Sequence, residues 1–338
     1  MIRVLYDAWD WAYRPQSPAA WHLARLLQRL PEDIEPLLAL PQALAETVPW
    51  PAQVVALPDS AWGRLRWEQW VLPSLARRHR ADLLHLFHGV PLASPAPVLH
   101  EGELPGTPPD APLALRLRAA LARGGLSRPS SWRVEDDGSE APPVDPPPAL
   151  PEEKTPARRY VVAYGPWDGE ALGLLLRGWG WVAQSLGDEV MLALLGLDQV
   201  QQGLLAQWLR EVPWEAEVRA LSLTPWEALG ALQRAEALLQ VGWAPYREEV
   251  VGAALGWGVP IVGEERRPLS ALVGPAGYLV PPGDDRALGG ALIAVLVEEH
   301  LAADLRQRGR QRAQLWAKQG AAPGLAEVYR RLVTARPT

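Results

Sequence analysis

The residue pair with the clearest chemical potential is His100–Glu101, which directly follows the short apolar run Pro97–Leu99. An imidazole beside a carboxylate can hydrogen-bond a substrate hydroxyl or pass a proton near neutral pH. We therefore treat His100 and Glu101 as candidate catalytic residues. The alternative interpretation, a histidine that simply ends a strand, is equally compatible with the sequence.

Two further histidines, His85 and His88, lie three positions apart near the end of another apolar run. That spacing superficially resembles a metal-binding pair. A zinc site needs at least three protein ligands, and no motif supplies a third one. The sequence therefore predicts no metal site.

The loop after the first strand alternates acidic and aromatic residues, namely Asp7, Trp9, Asp10 and Trp11. Aromatic rings with a polar edge suit either a sugar ligand or a packed core. Packing is the commoner role for aromatic residues directly after a strand. We therefore predict that both tryptophans belong to the core.

These residues are positioned by short apolar strands that alternate with helices. In the first half, helices are predicted at about 18–30 and 62–78, and strands at Ile2–Tyr6, Gln53–Leu57, Asp82–Phe87 and Pro97–His100. In the second half, strands are predicted at Tyr160–Tyr164, Glu189–Leu195, Glu217–Leu221, Ala235–Val241, Val259–Val262 and Gly277–Val280. Such alternation is typical of parallel sheets covered by helices on both faces.

A proline-rich, acidic segment separates the two halves, with six prolines inside the ten residues from Pro142 to Pro151. Proline fixes φ and removes a backbone donor, which prevents a continuous helix or central strand. The predicted organisation is an N-terminal domain at 1–140, a linker at 141–157, a C-terminal domain at 158–318 and a terminal helix at 319–338. We expect the terminal helix to pack back toward the N-terminal domain.

Length and composition exclude several classes of protein. At 338 residues the chain can form two domains, each with its own core. The 33 basic and 39 acidic residues give a net charge of −6, which does not indicate a nucleic-acid partner. Cysteine is absent, so disulfides and thiolate metal sites are excluded. The chain opens on a strand and has no apolar run of membrane-spanning length, so we expect a cytoplasmic protein without a transmembrane segment.

Several segments resemble family-4 glycosyltransferases, most specifically in the nucleotide-sugar half of that family. The most specific segments are Val259–Val262, Gly274–Val280 and Pro282–Leu288. Weaker similarity covers most of the chain, at Arg3–Ala8 with Arg14–Pro15, Leu83–Val90, Pro97–Glu101, Gly165–Trp179 and Ala326–Arg331. The resemblance implies an α/β protein of the GT-B class, in which two Rossmann-like domains face each other across a cleft.

The resemblance also implies a reaction, the transfer of a hexose from a nucleotide diphosphate sugar to a glycan or lipid acceptor with retained configuration. The nucleotide sugar would be the donor, and no other cofactor is implied. His100 and Glu101 fall on the acceptor side. On the donor side the resemblance offers only Gly165, Gly242, Glu248 and Glu249. The two glutamates can equally be solvated residues at a helix start, where negative charge suits the helix dipole.

The donor-binding positions of that family are occupied by other residue types here. Its pair of sugar- and ribose-binding glutamates falls on Pro245 and Ala253, and its third acid falls on Ala271. The arginine and lysine that hold the diphosphate correspond to Pro166 and Glu170. An acidic side chain beside a pyrophosphate would repel it.

Two further departures concern the first domain. Ser17–Trp21 replaces the glycine-rich turn whose backbone approaches the donor phosphates. The stretch between His100 and Pro142 is mostly Pro, Gly, Ala and charged residues, where the family has a strand–helix unit and another strand. We therefore expect a trimmed first domain.

Three hypotheses about function remain open from the sequence. A non-catalytic relative that supports a partner glycosyltransferase or holds a glycan best explains why fold-building positions are kept and donor positions are lost. An active glycosyltransferase with an atypical donor site is motivated by the scaffold and by His100. Another GT-B enzyme, such as a nucleotide-sugar epimerase or a phosphorylase, has no specific residue in its favour.

Overall fold

The computed structural model describes residues 1–15, 17–28, 30–44, 48–101, 113–126, 131–134, 156, 158–165, 167, 169–197, 199–210, 212, 218–221, 223, 225–243, 247–319 and 325–334. The chain divides into two compact units. The first unit comprises Met1–Arg14, His22–Asp136 and Pro323–Thr338, and the second comprises Pro15–Trp21 and Asp137–Ala322. The predicted linker at 141–157 lies outside the described residues except for Pro156, so the predicted domain bounds stay a prediction.

The first unit is built on a six-stranded parallel sheet with the strand order β3-β2-β1-β4-β5-β6. Its strands are β1 (Ile2–Asp7), β2 (Ile34–Leu40), β3 (Ala52–Val54), β4 (Leu83–Leu86), β5 (Val98–Glu101) and β6 (Ser131–Val134). Its helices are α1 (Trp9–Tyr13), α2 (Pro18–Gln28, whose first turn falls in the second unit), α3 (Ala61–Arg66), α4 (Leu72–Arg78), α5 (Leu113–Leu126) and α13 (Leu325–Thr334).

One long helical stretch in this unit runs through α3, a π-helical turn at Trp67–Val71 and then α4. It begins where the Ser60 hydroxyl accepts a hydrogen bond from the Gly63 N–H at 3.0 Å, a typical helix N-cap. The π turn inserts its wider spacing between two α-helical pieces without ending the helix. The sequence predicted this stretch as a single helix at 62–78.

The second unit has its own six-stranded parallel sheet, with the order β12-β11-β10-β7-β8-β9. Its strands are β7 (Arg159–Tyr164), β8 (Val190–Leu195), β9 (Val218–Ala220), β10 (Ala237–Gln240), β11 (Ile261–Glu264) and β12 (Gly277–Val280). Its helices are α6 (Gly169–Leu186), α7 (Gln199–Leu209), α8 (Pro225–Gln233), α9 (Arg247–Trp257), α10 (Leu269–Val273), α11 (Asp285–Val297) and α12 (Glu299–Gln319).

Strand β8 illustrates how this sheet is buried. All six of its residues are buried, and successive side chains enter opposite cores. Leu192 and Leu194 belong to the cluster on one face, and Met191 and Ala193 belong to the cluster on the other. Because strand side chains alternate between faces, an all-apolar strand requires cover on both sides.

The carboxyl-terminal helix α13 packs on β1 and β4 of the first sheet. Tyr329 is fully buried, and the Tyr6 hydroxyl donates a hydrogen bond to the Tyr329 hydroxyl at 3.1 Å. At the surface, Arg330 forms an ion pair with Asp33, with Nε 2.9 Å from Oδ2. The end of the chain thus completes one layer of the unit in which it begins.

The structure corrects the sequence-based reading of two regions in the first unit. A trimmed first domain was predicted from the stretch between His100 and Pro142, but the structure has a 14-residue helix there, α5, and a strand, β6, that pairs with β5. Residues 113–126 contain no proline and consist mainly of strong helix formers. The first domain is therefore less shortened than predicted. Strand β2 was also missed, because Pro36 in its middle argues against a strand.

Two glycines of the second unit test how tightly β11 packs against its neighbours. A Cβ at Gly263 in β11 would lie 2.5 Å from the Gln240 carbonyl oxygen and 2.8 Å from Leu269 Cδ2, so the backbone would have to move. We expect Gly263→Ala to lower the free energy of unfolding by about 1–3 kcal/mol. The measurement is chemical denaturation followed by circular dichroism.

The matched control is Gly290→Ala on an exposed face of α11, where a Cβ would meet no atom within 4 Å. Alanine loses less backbone entropy than glycine in a helix, so this variant should be more stable by about 0.5–1 kcal/mol. Equal effects of the two substitutions would contradict the packing described for β11.

Candidate functional site

Polar residues gather at the carboxyl ends of three neighbouring strands in the first sheet. Asp7 ends β1, Glu101 ends β5, and His88 follows β4 by two positions. In open parallel sheets this edge is where ligands bind. The sequence placed His100 and Glu101 here, and the structure adds partners that the sequence did not connect.

The Glu101 carboxylate lies within a largely buried cluster of polar side chains. Its Oε2 is 2.9 Å from His22 Nε2 and 3.1 Å from His85 Nε2. On the other side of the His85 ring, Nδ1 is 2.6 Å from the Tyr329 hydroxyl, which in turn accepts from Tyr6. The His85 ring thus lies between the Tyr329 hydroxyl and the Glu101 carboxylate, with one ring nitrogen facing each.

The charge state of Glu101 follows from these neighbours. Burial alone would raise the pKa of Glu101, but His85 and His22 beside it hold the pKa well below its usual range. An ionised carboxylate accepts hydrogen bonds and cannot donate a proton. The geometry therefore suits Glu101 to orienting imidazole rings rather than to acting as an acid.

His100 is fully buried, and its Nε2–H donates to the His88 carbonyl oxygen at 2.8 Å. This bond ties the end of β5 to the loop that follows β4. The structural role of His100 is therefore to hold the backbone of His88 in place. The catalytic role of His100 and Glu101 stays a prediction.

His88 is the histidine of this group that reaches the surface, with 33% of its side chain exposed. Its Nε2 lies 2.5 Å from Asp10 Oδ2, and Asp10 also pairs with Arg14 at 3.1 Å. Burial alone would raise the pKa of Asp10, but His88, Arg64 and Arg14 hold it below its usual range. The sequence contained one indication of this pair. Asp10 follows β1 and His88 follows β4, and these two strands are neighbours in the sheet.

A second charge cluster is centred on three buried residues, Asp7, Arg64 and Glu68. Arg64 Nη2 is 2.6 Å from Asp7 Oδ2, and Arg64 Nε is 2.8 Å from Glu68 Oε1. The Trp67 indole donates to Asp7 Oδ1 at 2.8 Å, and Arg118 Nη2 lies 2.7 Å from Glu68 Oε1. Buried charges with this many partners hold elements together, and Asp7 is therefore engaged in packing.

The predicted roles of the neighbouring aromatic and histidine residues can now be compared with their positions. Trp9 and Trp11 are both buried in the first unit, which confirms the packing interpretation. His85 and His88 belong to different clusters, one around Glu101 and one around Asp10. Among the described residues, no group of three His, Cys, Asp or Glu side chains is placed to hold a metal ion.

In the second unit the two predicted donor-site glycines use their N–H groups within the chain. Gly165 follows β7 and donates to the Leu195 carbonyl oxygen at 2.7 Å. Gly242 follows β10 with φ +64° and donates to Glu264 Oε2 at 2.9 Å. The other oxygen of Glu264 accepts from Gly283 N–H at 3.1 Å. The Glu264 carboxylate, buried at the end of β11, thus occupies two backbone donors of neighbouring loops.

Helix α9 begins with Arg247, followed by the two predicted glutamates. Glu249 is buried, so the interpretation of both glutamates as solvated residues is wrong for Glu249, whereas Glu248 is partly exposed. Arg247 itself is buried, with its guanidinium carbon 5.6 Å from the Trp167 ring centroid. Burial lowers the pKa of Arg247 to about 9. No motif in the sequence marks this cation.

The positions that replace the family's polar residues have ordinary surroundings. Ala253 is fully buried in the apolar cluster on one face of the second sheet. Ala271 and Glu170 are exposed. Pro166 and Pro245 lie outside the described residues.

The segment that replaces the glycine-rich turn acts as a helix start. The Ser17 hydroxyl accepts from the Ala20 N–H at 3.1 Å, and Pro18 is the first residue of α2. Serine at the N-cap followed by proline at the first helical position is a favoured combination. Ala19 and Ala20 are buried, so this turn packs its side chains instead of exposing its backbone.

Comparison with known proteins establishes the fold of this chain. Neither a protein-family model nor a curated protein matches the sequence. Among solved structures, sucrose-phosphate synthase of Thermosynechococcus elongatus aligns at a TM-score of 0.62 with 15% identity, over 99% of this chain and 100% of that one. HepE of Anabaena, solved with UDP-glucose, aligns at 0.63 with 13% identity over 99% and 100%.

A third similar structure is WaaG, a glycosyltransferase involved in lipopolysaccharide biosynthesis, at a TM-score of 0.63 with 12% identity over 98% of each chain. With identities this low, the similarity establishes the fold. The chain consists of two parallel-sheet α/β domains with the GT-B fold of glycosyltransferases, as its resemblance to family-4 members predicted.

The Glu101 cluster generates a stability prediction. Glu101→Gln leaves two imidazoles facing an amide, so we expect the free energy of unfolding at pH 7 to fall by about 3 kcal/mol. Because the folded-state pKa of Glu101 is depressed, its contribution is fully present above the usual value of 4.5 and is lost as pH falls below it. The difference between wild type and variant should therefore shrink on acidification, measured by denaturation at a series of pH values.

The control is Glu35→Gln, which removes an exposed ion pair with Arg3 that spans 2.9 Å. Exposed pairs contribute little, so this change should cost less than about 1 kcal/mol at any pH. A difference between wild type and Glu101→Gln that stays constant from neutral to acidic pH would contradict the proposed charge state.

Proposed function

We propose that this chain is a non-catalytic protein of the glycosyltransferase GT-B type, which does not hold a nucleotide diphosphate sugar and works by binding. Its ligand is a glycan or a partner glycosyltransferase. The proposal rests on the contrast between a well-packed fold and second-unit positions that are committed to internal contacts.

The observation that carries the proposal is the use of the Gly165 and Gly242 N–H groups within the chain. Backbone N–H groups at such loops are the usual donors to phosphate oxygens. Gly165 N–H is bonded to the Leu195 carbonyl and Gly242 N–H to the Glu264 carboxylate. A phosphate at either position would have to displace a bond that also holds two loops together.

Charge supports the same conclusion. The Glu264 carboxylate sits at the end of β11, directly on two loops that follow neighbouring strands. A diphosphate placed at those loops would meet a like charge, whereas transferases offset the leaving-group charge with cations. Glu170, which stands at the position of the family's lysine, adds a second acidic group on α6.

The sugar-holding position is equally unsuited. Ala253 stands where the family has its second glutamate, and its methyl group is fully buried among apolar side chains. A buried apolar position offers no group to a sugar hydroxyl. By contrast, the first unit keeps polar groups at its strand ends. The partly exposed His88 ring, held by Asp10, presents a polar surface to a glycan there.

One observation favours a second candidate, an active hexosyltransferase with an atypical donor site. Arg247 is a buried cation at the start of α9, stacked on Trp167. A guanidinium in a low-dielectric setting binds phosphate strongly. It would supply charge that the family takes from residues replaced here by Pro166 and Glu170.

Nucleotide titration separates the two candidates. We expect calorimetric titration with UDP, GDP and ADP, and with their sugar conjugates, to give no binding heat up to millimolar concentration. HepE of Anabaena titrated with UDP-glucose is the positive control, since its structure contains that ligand. Micromolar binding of any of these nucleotides would overturn the non-catalytic proposal.

If such binding occurs, Arg247→Leu should weaken it by roughly 100-fold, because a buried charged hydrogen bond to phosphate contributes on the order of 3 kcal/mol. Arg219→Leu, an exposed cation on β9, is the matched control and should change nothing. Nucleotide binding that survives Arg247→Leu unchanged would exclude Arg247 as the replacement for the missing cations.

A further inference from the structure

Exposed large apolar side chains cluster on one part of the first unit. Trp62 on α3 is 58% exposed and Trp70 in the π turn is 59% exposed. Leu113 on α5 is 70% exposed, and Leu117 on the same helix is also exposed. Isolated exposed apolar residues are normal, but a group on adjoining elements marks an interaction surface.

Contacts between these elements show that they adjoin. Arg118 on α5 reaches across to Glu68 in the π turn, with Nη2 2.7 Å from Oε1. Gln69 in the same turn accepts from the Leu92 N–H at 3.0 Å, and Leu92 is a further exposed apolar residue. The helical stretch, α5 and the loop after β4 therefore form one region of the surface.

The spacing places apolar and basic side chains together on each helix. Trp62, Arg66 and Trp70 are exposed at intervals of four residues, and each step of four advances about 6 Å along a helix. On α5, Leu113 and Leu117 are four apart with exposed Arg116 between them. We call the six residues Trp62, Arg66, Trp70, Leu113, Arg116 and Leu117 the aromatic–basic face.

The charge of this region has a single sign, although the whole chain carries a net charge of −6. The exposed ionisable residues of α3, the π turn, α4 and α5 are all arginines, namely Arg66, Arg77, Arg78, Arg116 and Arg123. The one acidic residue on these elements, Glu68, is fully buried and paired with Arg64 and Arg118. A partner for this face must therefore be anionic and must accept tryptophan side chains.

We propose that the aromatic–basic face binds the surface of an anionic phospholipid bilayer. Tryptophan is favoured at the level of lipid headgroups, where its ring is apolar and its N–H finds polar partners. Arginine pairs with lipid phosphates and is attracted by the negative surface potential. Helices that carry both on one face lie in the plane of the membrane.

This mode of binding needs no membrane-spanning segment. No helix among the described residues is long and apolar enough to cross a bilayer. The aromatic–basic face is confined to the first unit, whereas the residues that bear on nucleotide binding lie in the second. Failure of the vesicle-binding test would therefore leave the proposed function unaffected, and the reverse also holds.

The test is co-sedimentation of the full chain with mixed phosphatidylglycerol–phosphatidylcholine vesicles and with pure phosphatidylcholine vesicles. Binding to the mixed vesicles, weakened by salt, is expected, with little binding to the neutral ones. Trp62→Ser and Trp70→Ser should each lower the partition coefficient roughly tenfold. Arg66→Gln and Arg116→Gln should each lower it about fivefold. All four side chains are exposed or flank exposed positions, so the variants should fold.

The matched controls are Trp208→Ser and Arg308→Gln, an exposed tryptophan and an exposed arginine of the second unit, and neither should change binding. Absence of binding to the mixed vesicles overturns the proposal, as does equal binding to neutral vesicles. A third outcome also overturns the proposal. If the chain does not bind vesicles but self-associates in sedimentation velocity, and Trp62→Ser abolishes that self-association, the face binds a second copy of the chain.

Discussion

The Glu101 carboxylate is the interaction on which the first unit depends most. It joins the end of β5 to α2 through His22 and to β4 through His85, and His85 continues to Tyr329 on α13. A buried carboxylate requires partners that stabilise its charge, and here the two partners come from two separate elements, α2 and β4. The position of the partly exposed His88 follows from this arrangement, since His100 on the same strand holds the His88 backbone.

The second unit uses a carboxylate in a comparable structural role. Glu264 accepts from Gly242 and Gly283, both of which adopt positive φ and so leave their N–H groups pointing inward at a loop. In a nucleotide-binding protein such inward N–H groups would be left for a ligand. An internal carboxylate that already bonds them makes the loops rigid in the absence of any ligand. The same strand-end geometry thus supports a structural role and a binding role, and the side chain present decides between them.

Much of the fold was predictable from the sequence because most strands are buried on both faces and consist of apolar runs such as Val190–Leu195. Strand β2 was not predicted because proline is rarely found inside a strand. In the structure, Pro36 nevertheless lies within β2, opposite Val4 of β1. Helix α5 was hidden by the proline-rich residues that follow it. For the candidate site, His100 and Glu101 could be singled out because they lie at the end of a strand, β5, and their catalytic role stays a prediction. The pairs His88–Asp10 and His22–Glu101 could not be singled out, because each joins residues 78 or 79 positions apart.

The packing of α13 has a consequence for how the protein is made. Tyr6 and Tyr329 are hydrogen-bonded across 323 positions, so β1 completes its packing only after the long stretch of chain between them has been synthesised. The second unit lies almost entirely between them in the chain and can fold earlier. Until α13 has been synthesised, the face of β1 and β4 that it covers remains exposed with its apolar residues. Chaperone contact during translation is therefore expected at the beginning of this chain rather than in its middle.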